Sequence, residues 1–278
     1  MRLALTFCAA IVVATLSAAP HQAPPVAKAT SAPHLADAEI ERFLLTAKVL
    51  KTRGAGKGIT GSLRATLTDG TLTHDAHIQT IDETKREFQS TTGTEFNFRD
   101  SWTFNVAAYR ISRMLGLKLI PVSVARRWKN DEGAFTWWVD DVKMDEADRL
   151  KNKVEPPDPL SWNQQMQLVR LFDQLIANVD RNLGNLIVTN EWNLWAIDHT
   201  RAFRTQPSLK TPGNVARCER AIFDRLKKLD RESLKREVGK YLQPYQIDAM
   251  LKRRDAIVAI IEGRGEAGLF DLRSTSSP

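Results

Sequence analysis

The sequence predicts an α+β fold in two lobes, a β-rich N-terminal lobe followed by a mostly helical C-terminal lobe. Three observations carry that reading. Between residues 63 and 139, short β-prone runs alternate with turn signals such as Asp69-Gly70. From residue 161 onward, apolar residues recur at helical spacing, interrupted by one hairpin. With 278 residues, 42% hydrophobic and 26% charged, the chain is long enough for one large domain or two lobes around a sizeable core.

Residues 1–19 read as a secretory signal peptide: Arg2, an apolar run over residues 3–16, then Ser17, Ala18 and Ala19 before Pro20. The run is too short and too weakly flanked for a stable span, and an uncleaved membrane anchor is the competing reading. Cys8 behind Phe7 is a poor match to a lipoprotein cleavage site. Residues 20–36, rich in Ala and Pro, form a flexible spacer. The protein is therefore expected to be exported, periplasmic or secreted. Only Cys218 would then remain, which excludes an intrachain disulfide and points to a packed small side chain on a helix.

The N-terminal lobe is expected over residues 37–142. Ile40, Phe43, Leu44 and Ala47 lie at helical spacing, giving a short helix over residues 37–50. Gly56, Gly58 and Gly61 then form G-x-G-x-x-G around Lys57, followed at once by a strand over residues 63–68. Without Cβ atoms, such a turn lets backbone N–H groups approach phosphates closely. It is not a Walker A loop, lacking Gly-Lys-Ser/Thr, nor a dinucleotide fingerprint, because a strand and not a helix follows. A plain flexible turn is the alternative. Asp69-Gly70 signals a hairpin leading to a strand over residues 76–81. Phe104, Ala107, Ala108, Ile111 and Leu115 share one helical face, so residues 100–115 are read as a helix capped by Asp100 or Ser101 and stopped at Gly116. Strands follow over residues 119–124 and 134–139. TWWVDDVKMD then joins the lobes, with Trp137 and Trp138 as core or hinge packing. A linker is placed over residues 143–160, where Pro156, Pro157 and Pro159 break the chain. The helical lobe occupies residues 161–271. Its first helix, residues 161–178, buries Trp162, Met166, Val169, Phe172 and Ile176; three more follow over residues 215–229, 231–241 and 244–262, before a frayed tail at 272–278.

The segment LFDQLIANVDRNLGNLIVTNEWNLWAIDHTRAFR is the most informative. Asp180 and Asn185 sit in a polar loop, and β-like runs over residues 186–189 and 194–197 flank a turn at 190–193. The second run delivers Asp198 back beside the loop, because a hairpin returns its ends to one place. Asp or Asn alone in a loop is commonly a turn former. Together the three suit phosphoryl transfer, in which one carboxylate accepts a hydroxyl proton while a second carboxylate and an amide oxygen hold Mg²⁺.

NVDRNLGNLIV followed by LWAIDHTRAF resembles the catalytic segment of the phosphatidylinositol 3-/4-kinase-like group, especially type II phosphatidylinositol 4-kinases. It also resembles the secreted Fam20-type kinases and, more distantly, the HipA-type kinases, with an exported bacterial branch carrying the same motif. The resemblance spans roughly residues 50–203 and is strong over 172–203. It implies a two-lobed protein-kinase-like fold, Asp180 as catalytic base, Asn185 and Asp198 as metal ligands, and Gly56–Gly61 as a cover over the phosphates of ATP. Mg²⁺ or Mn²⁺ would be the metal. Arg181 is expected to pair locally and His199 to support Asp198. The acceptor, a protein, lipid or sugar, is left open, because fold does not fix substrate.

One departure stands out. These families carry a Lys on the strand of AHIQT and a Glu on the helix of FNVAAYR; here the positions hold Gln79 and Asn105. Losing both charges together avoids stranding one in a half-buried site. Lys57 or Lys85 could bring the cation from another direction. The alternative to an active kinase is a pseudokinase, a nucleotide-binding or interaction protein without turnover.

The net charge is +7, with basic residues crowded after Arg217 but interleaved with Glu219, Asp224, Asp230, Glu232 and Glu237. That pattern fits solvated amphipathic helices, with weak attraction to an anionic membrane as the lesser reading. No basic stripe interleaved with aromatics and no zinc-finger spacing supports nucleic-acid binding. H-E-x-x-H, G-x-S-x-G and C-x-x-C are absent.

Overall fold

The computed structural model describes residues 35–55, 62–90 and 93–272. The leader, all but the last two residues of the spacer, the glycine-rich Gly56, Lys57, Gly58 and Gly61, and the tail beyond residue 272 lie outside them. The described residues belong to one compact unit.

Helix α1 (Asp37–Thr46) leads into β1 (Lys48–Gly54), β2 (Leu63–Thr68) and β3 (Thr73–Gln79). The β2–β3 hairpin turns at Asp69-Gly70 as the sequence predicts. Asp69 Oδ1 accepts from the Thr71 and Leu72 N–H groups, and Gly70 takes φ +95°. Helix α1 ends four residues short of the predicted boundary. Its apolar stripe is exhausted at Ala47, Leu50 is exposed, and Lys48 already pairs with Thr68.

Next comes a hairpin the sequence did not announce, β4 (Asp82–Ser90) and β5 (Gly93–Ser101), forming its own two-stranded sheet. Its strands are mostly charged and exposed, so no period-2 apolar pattern marks them. The same hairpin moves the start of α2 (Thr103–Met114), because Asp100 and Ser101 remain paired with Glu83 and Asp82. Neither is the N-cap; that position is Trp102, without a side-chain cap. Gly116, at φ +74°, ends the helix as expected.

β6 (Ser123–Trp128) and β7 (Asp131–Trp137) complete a five-stranded antiparallel sheet in the order β1-β2-β3-β7-β6. β6 starts after Pro121, which cannot donate to the ladder, and so lies four residues later than predicted. Residues 138–141 then cross to the second lobe. Trp137 stacks on His74 at 3.4 Å and Trp138 lies under the Arg64 guanidinium at 4.1 Å, so both tryptophans pack.

β8 (Val142–Asp145) and α3 (Glu146–Lys151) follow, then α4 (Pro159–Leu175), whose Asp158 cap accepts from the Leu160 and Ser161 N–H groups. β9 (Leu186–Thr189) and β10 (Leu194–Ala196) join β8 in a three-stranded sheet ordered β10-β9-β8. β11 (Cys218–Glu219), α5 (Arg220–Lys228), α6 (Arg231–Val238), α7 (Pro244–Gly263) and β12 (Leu269–Phe270) finish the fold. Cys218 is buried as predicted but lies on β11, parallel to β12, and not on a helix; burial pushes its thiol up to about 12. One apolar core runs through both lobes. Among the described residues no helix is long and apolar enough to cross a membrane.

Candidate functional site

α4 presents the polar loop. After Leu175 the chain turns sharply, with Ala177 at φ +47° and the Ile176 carbonyl accepting from Phe203 N–H at 2.6 Å. Asp173, on the buried side of α4, then organises the loop. It accepts from Asn178 Nδ2 at 3.0 Å, and Asn178 Oδ1 in turn accepts from the Asp180 N–H at 3.1 Å. Arg181 clamps Asp173 bidentately, Nε to Oδ2 at 2.9 Å and Nη2 to Oδ1 at 3.0 Å. Its Nη1 donates to the Ile197 carbonyl at 2.6 Å and to the Asn185 carbonyl at 3.3 Å. Both partners of this ion pair are nearly buried.

The clamp and the hairpin bring Asn185 beside the strand end that precedes Asp198. Asn182 Oδ1 accepts from the Asn185 N–H at 3.1 Å, closing a short 3-10 turn over Leu183–Asn185. The Asn185 carbonyl accepts from Ile197 N–H at 3.0 Å, extending the β9–β10 ladder by one rung. Asn185 is thereby set beside the residue that precedes Asp198. Asp198 takes φ +55°, a left-handed conformation uncommon outside Gly that Asp adopts more readily than most residues. Its Oδ1 accepts from Thr200 Oγ1 at 3.0 Å. Asp180, by contrast, is exposed and lines a large cavity that neither Asn185 nor Asp198 lines.

Two residues to which the sequence reading gave no part in the site, Asp100 (read there as a helix cap) and His77, stand beside Asp198. Asp100 is buried, and burial, together with the Asp198 charge, raises its pKa above the ordinary range; its Oδ1 has no hydrogen-bond partner among the described residues. His77 is pushed down by burial, with the Asp198 carboxylate partly opposing. A buried, unpartnered carboxylate oxygen near a second carboxylate suits a cation, and carboxylate and amide oxygens suit a hard divalent ion. Among the described residues no three His, Cys, Asp or Glu side chains converge as a metal site.

Gln79 and Asn105 meet across the N-terminal lobe. Asn105 Nδ2 donates to Gln79 Oε1 at 2.8 Å, both residues being buried. The orientation of both amides follows from one backbone bond. His199 N–H donates to Asn105 Oδ1 at 2.7 Å, so the Asn105 acceptor faces His199 and its NH₂ faces Gln79. Gln79 is left with its own NH₂ to offer, a neutral donor. Lys85 does not supply a cation there: it pairs with Glu83 at 2.7 Å, reaches over Phe88 and Phe98, and lines the Asp180 cavity. Lys57 and the glycine turn lie outside the described residues.

His199 closes the circuit. Arg181 Nη2 lies 2.9 Å from its Nε2, and guanidinium can only donate, so Nε2 accepts and the ring proton sits on Nδ1. Burial first, and the Arg181 charge second, hold its pKa well below the usual 6.5. Asp173, Arg181, His199, Asn105 and Gln79 are thus one hydrogen-bonded chain from α4 to β3. Asp173 had a sequence signal, an acid between Phe172 and Leu175 on a buried helix face.

No protein-family model and no curated protein matches the sequence. Solved structures do match the fold. The chain is similar to a hydra Fam20 solved with sugar, at 15% identity over 84% of this chain and 92% of that one, TM-score 0.59. It is also similar to the Golgi casein kinase, at 15% identity over 85% and 77% of the two chains, TM-score 0.56. The same kinase with Mn and ADP bound aligns at 14% identity over 87% and 80%, TM-score 0.58. These likenesses establish a two-lobed, kinase-like α+β fold of the Fam20 and Golgi casein kinase kind.

Proposed function

We propose that this chain is an atypical kinase, transferring the γ-phosphoryl group of ATP to a hydroxyl acceptor with Mg²⁺ or Mn²⁺. The leader-like sequence of residues 1–19 supports an acceptor outside the cytoplasm. The observation that carries the reading is the Arg181 clamp, which ties the Asp180 loop, the Asn185 carbonyl and the strand end before Asp198 to one buried carboxylate. Such a clamp sets catalytic groups before substrate arrives, and positioning supplies much of the rate in phosphoryl transfer.

Asp180, open to the cavity, accepts the proton of the acceptor hydroxyl. The hydroxyl oxygen forms a bond to the γ-phosphorus while the bond to the β–γ bridging oxygen breaks, its electron pair leaving with ADP. Asn185 and Asp198 would hold the divalent ion. An ion held by these two residues would supply neutralisation of the phosphate charge. The Mn and ADP in the Golgi casein kinase support this assignment. Gln79 offers phosphate a neutral hydrogen bond. By analogy with loss of one oriented donor, the missing cation costs on the order of 10²–10³ in rate.

The neutral Gln79–Asn105 pair also favours a second reading, a pseudokinase that binds nucleotide without turnover. γ-Labelled ATP with Mn²⁺ decides between them. Transfer to an acceptor or to the protein itself, reduced about 10²-fold or more in Asp180→Asn, is the expected result. Thermal stabilisation by Mn-ATP that vanishes in Asp198→Ala, with no label transferred by the parent protein, selects the pseudokinase. No stabilisation and no transfer would end both readings.

A further inference from the structure

The wall of the Asp180 cavity is built by charges that the transfer chemistry does not use. The cavity holds about 1040 Å³ and lies between the β4–β5 hairpin, residues 201–210 and the start of α7. Six cations line it, of which Lys85 (paired with Glu83), Arg86 and Lys210 are exposed and Arg99, Arg201 and Arg204 are half-buried, against three carboxylates, Glu95, Asp173 and Asp180. Asp173 is already spent on Arg181, which stands outside the cavity wall.

Glu95, projecting from β5, receives both Arg201 and Arg204. One carboxylate thus serves two guanidinium groups whose side chains are only 18% and 10% exposed. Burial holds Arg204 below the ordinary arginine range. Arg99 stands 3.7 Å from Asp82, and the Nε atoms of Arg99 and Arg201 are buried without a hydrogen-bond partner among the described residues. Half-buried cations in excess of their counter-ions are costly unless a further anion completes the site.

We propose that the acceptor is a small hydroxylated anion, whose carboxylate, sulfate or phosphate group takes over Arg201 and Arg204 from Glu95 while its hydroxyl faces Asp180. Glu95 is then an internal stand-in for the ligand's own charge. Arginine suits the task, because its fork matches these groups two bonds at a time. The volume, just above the roughly 300–1,000 Å³ of small-molecule sites, is ample for such a ligand. The inference rests on the kinase reading for the role of the ligand, but its binding does not require phosphoryl transfer.

Calorimetry on the full chain without nucleotide tests it, using glucuronate and glucose 6-phosphate against uncharged glucose. The anions are expected to bind at least tenfold more tightly than glucose, about 1.4 kcal/mol. Glu95→Gln removes the internal competitor and should tighten anion binding several-fold, while Arg204→Gln should erase the preference for charge. If either variant fails to fold, the exposed Arg86→Ala and Lys210→Ala should each still weaken the anions at least twofold. Equal affinity for glucose, no binding of any of the three, or weaker anion binding in Glu95→Gln would overturn the proposal, as would binding confined to an acidic serine peptide. Anion binding without label transfer from ATP would leave this site standing and remove the kinase reading alone.

Discussion

The two halves of the site solve the problem of buried polar groups in opposite ways. Around the Asp180 loop the protein buries full charges and satisfies them, with Asp173 and Arg181 joined bidentately and the remaining guanidinium N–H groups given to two carbonyls and His199. Between β3 and α2 it buries two neutral amides joined by one hydrogen bond. A charged pair is expensive to desolvate and repays it only with complete hydrogen bonding. The loop side has that completeness. The amide side dispenses with charge and keeps the geometry, anchored by His199 N–H. The comparison teaches that the Asp180 loop is held by a fully satisfied ion pair, whereas the Gln79–Asn105 side is held by neutral hydrogen bonds alone.

The largest blow to the charged half is Arg181→Met. It strands Asp173 in the core and releases the Ile197 and Asn185 carbonyls, so a loss of roughly 3–5 kcal/mol is expected. For a chain of this size that is a fall on the order of 10 °C in melting temperature. Arg181→Lys should recover only part of it, since an ammonium cannot reproduce the fork. A melting temperature unchanged in Arg181→Met would show that the clamp is not the organiser described above.

The neutral half is sharpened by restoring its charges. Gln79→Lys alone places an ammonium against the amide of Asn105 and should destabilise by roughly 1–3 kcal/mol. Adding Asn105→Glu supplies the counter-ion, and a carboxylate there still accepts from His199 N–H. The two changes should therefore couple favourably by about 0.5–3 kcal/mol in a double-mutant cycle, with the double variant at least as active as the parent. Additive losses would mean that the pocket has closed around its amides and no longer accepts a cation.

How much of this was legible beforehand follows the same division. The trio, the hairpin that returns Asp198 and the Gln79–Asn105 exchange are local or motif-bound, and the sequence displays them directly. The β4–β5 hairpin is not, because DETKREFQS and GTEFNFRDS are mostly polar, and Phe88, Phe96 and Phe98 are too few to set a burial period along both strands. Its absence from the sequence reading concealed Glu95, and with it the pairing of Arg201 and Arg204 across more than a hundred residues. Asp100 was taken as a helix cap for the same reason. Long-range partners of charged residues leave no periodic trace; only a fold brings them together.

The finest distinction between the halves is in their response to acid. His199 joins them, donating its backbone N–H to Asn105 and accepting from Arg181 at Nε2. Its folded pKa is depressed below 6.5 by burial and by Arg181, and His77 is depressed in the same direction. Below about pH 6.5 the unfolded chain takes up protons that the folded chain refuses, so the unfolded state binds more of them. Stability is therefore fully present above that pH and is lost as pH falls toward the folded values, by about 1.4 kcal/mol per pH unit for each imidazole. Asp100 acts with the opposite sign, its raised pKa relieving a penalty on acidification, but from a carboxylate range lower down. Melting temperatures at pH 7.5, 6.5 and 5.5 should fall across the last interval, and His199→Asn should flatten that fall while lowering the whole curve. A curve equally steep in the variant would assign the proton uptake to His77 alone and detach His199 from the coupling between the two halves.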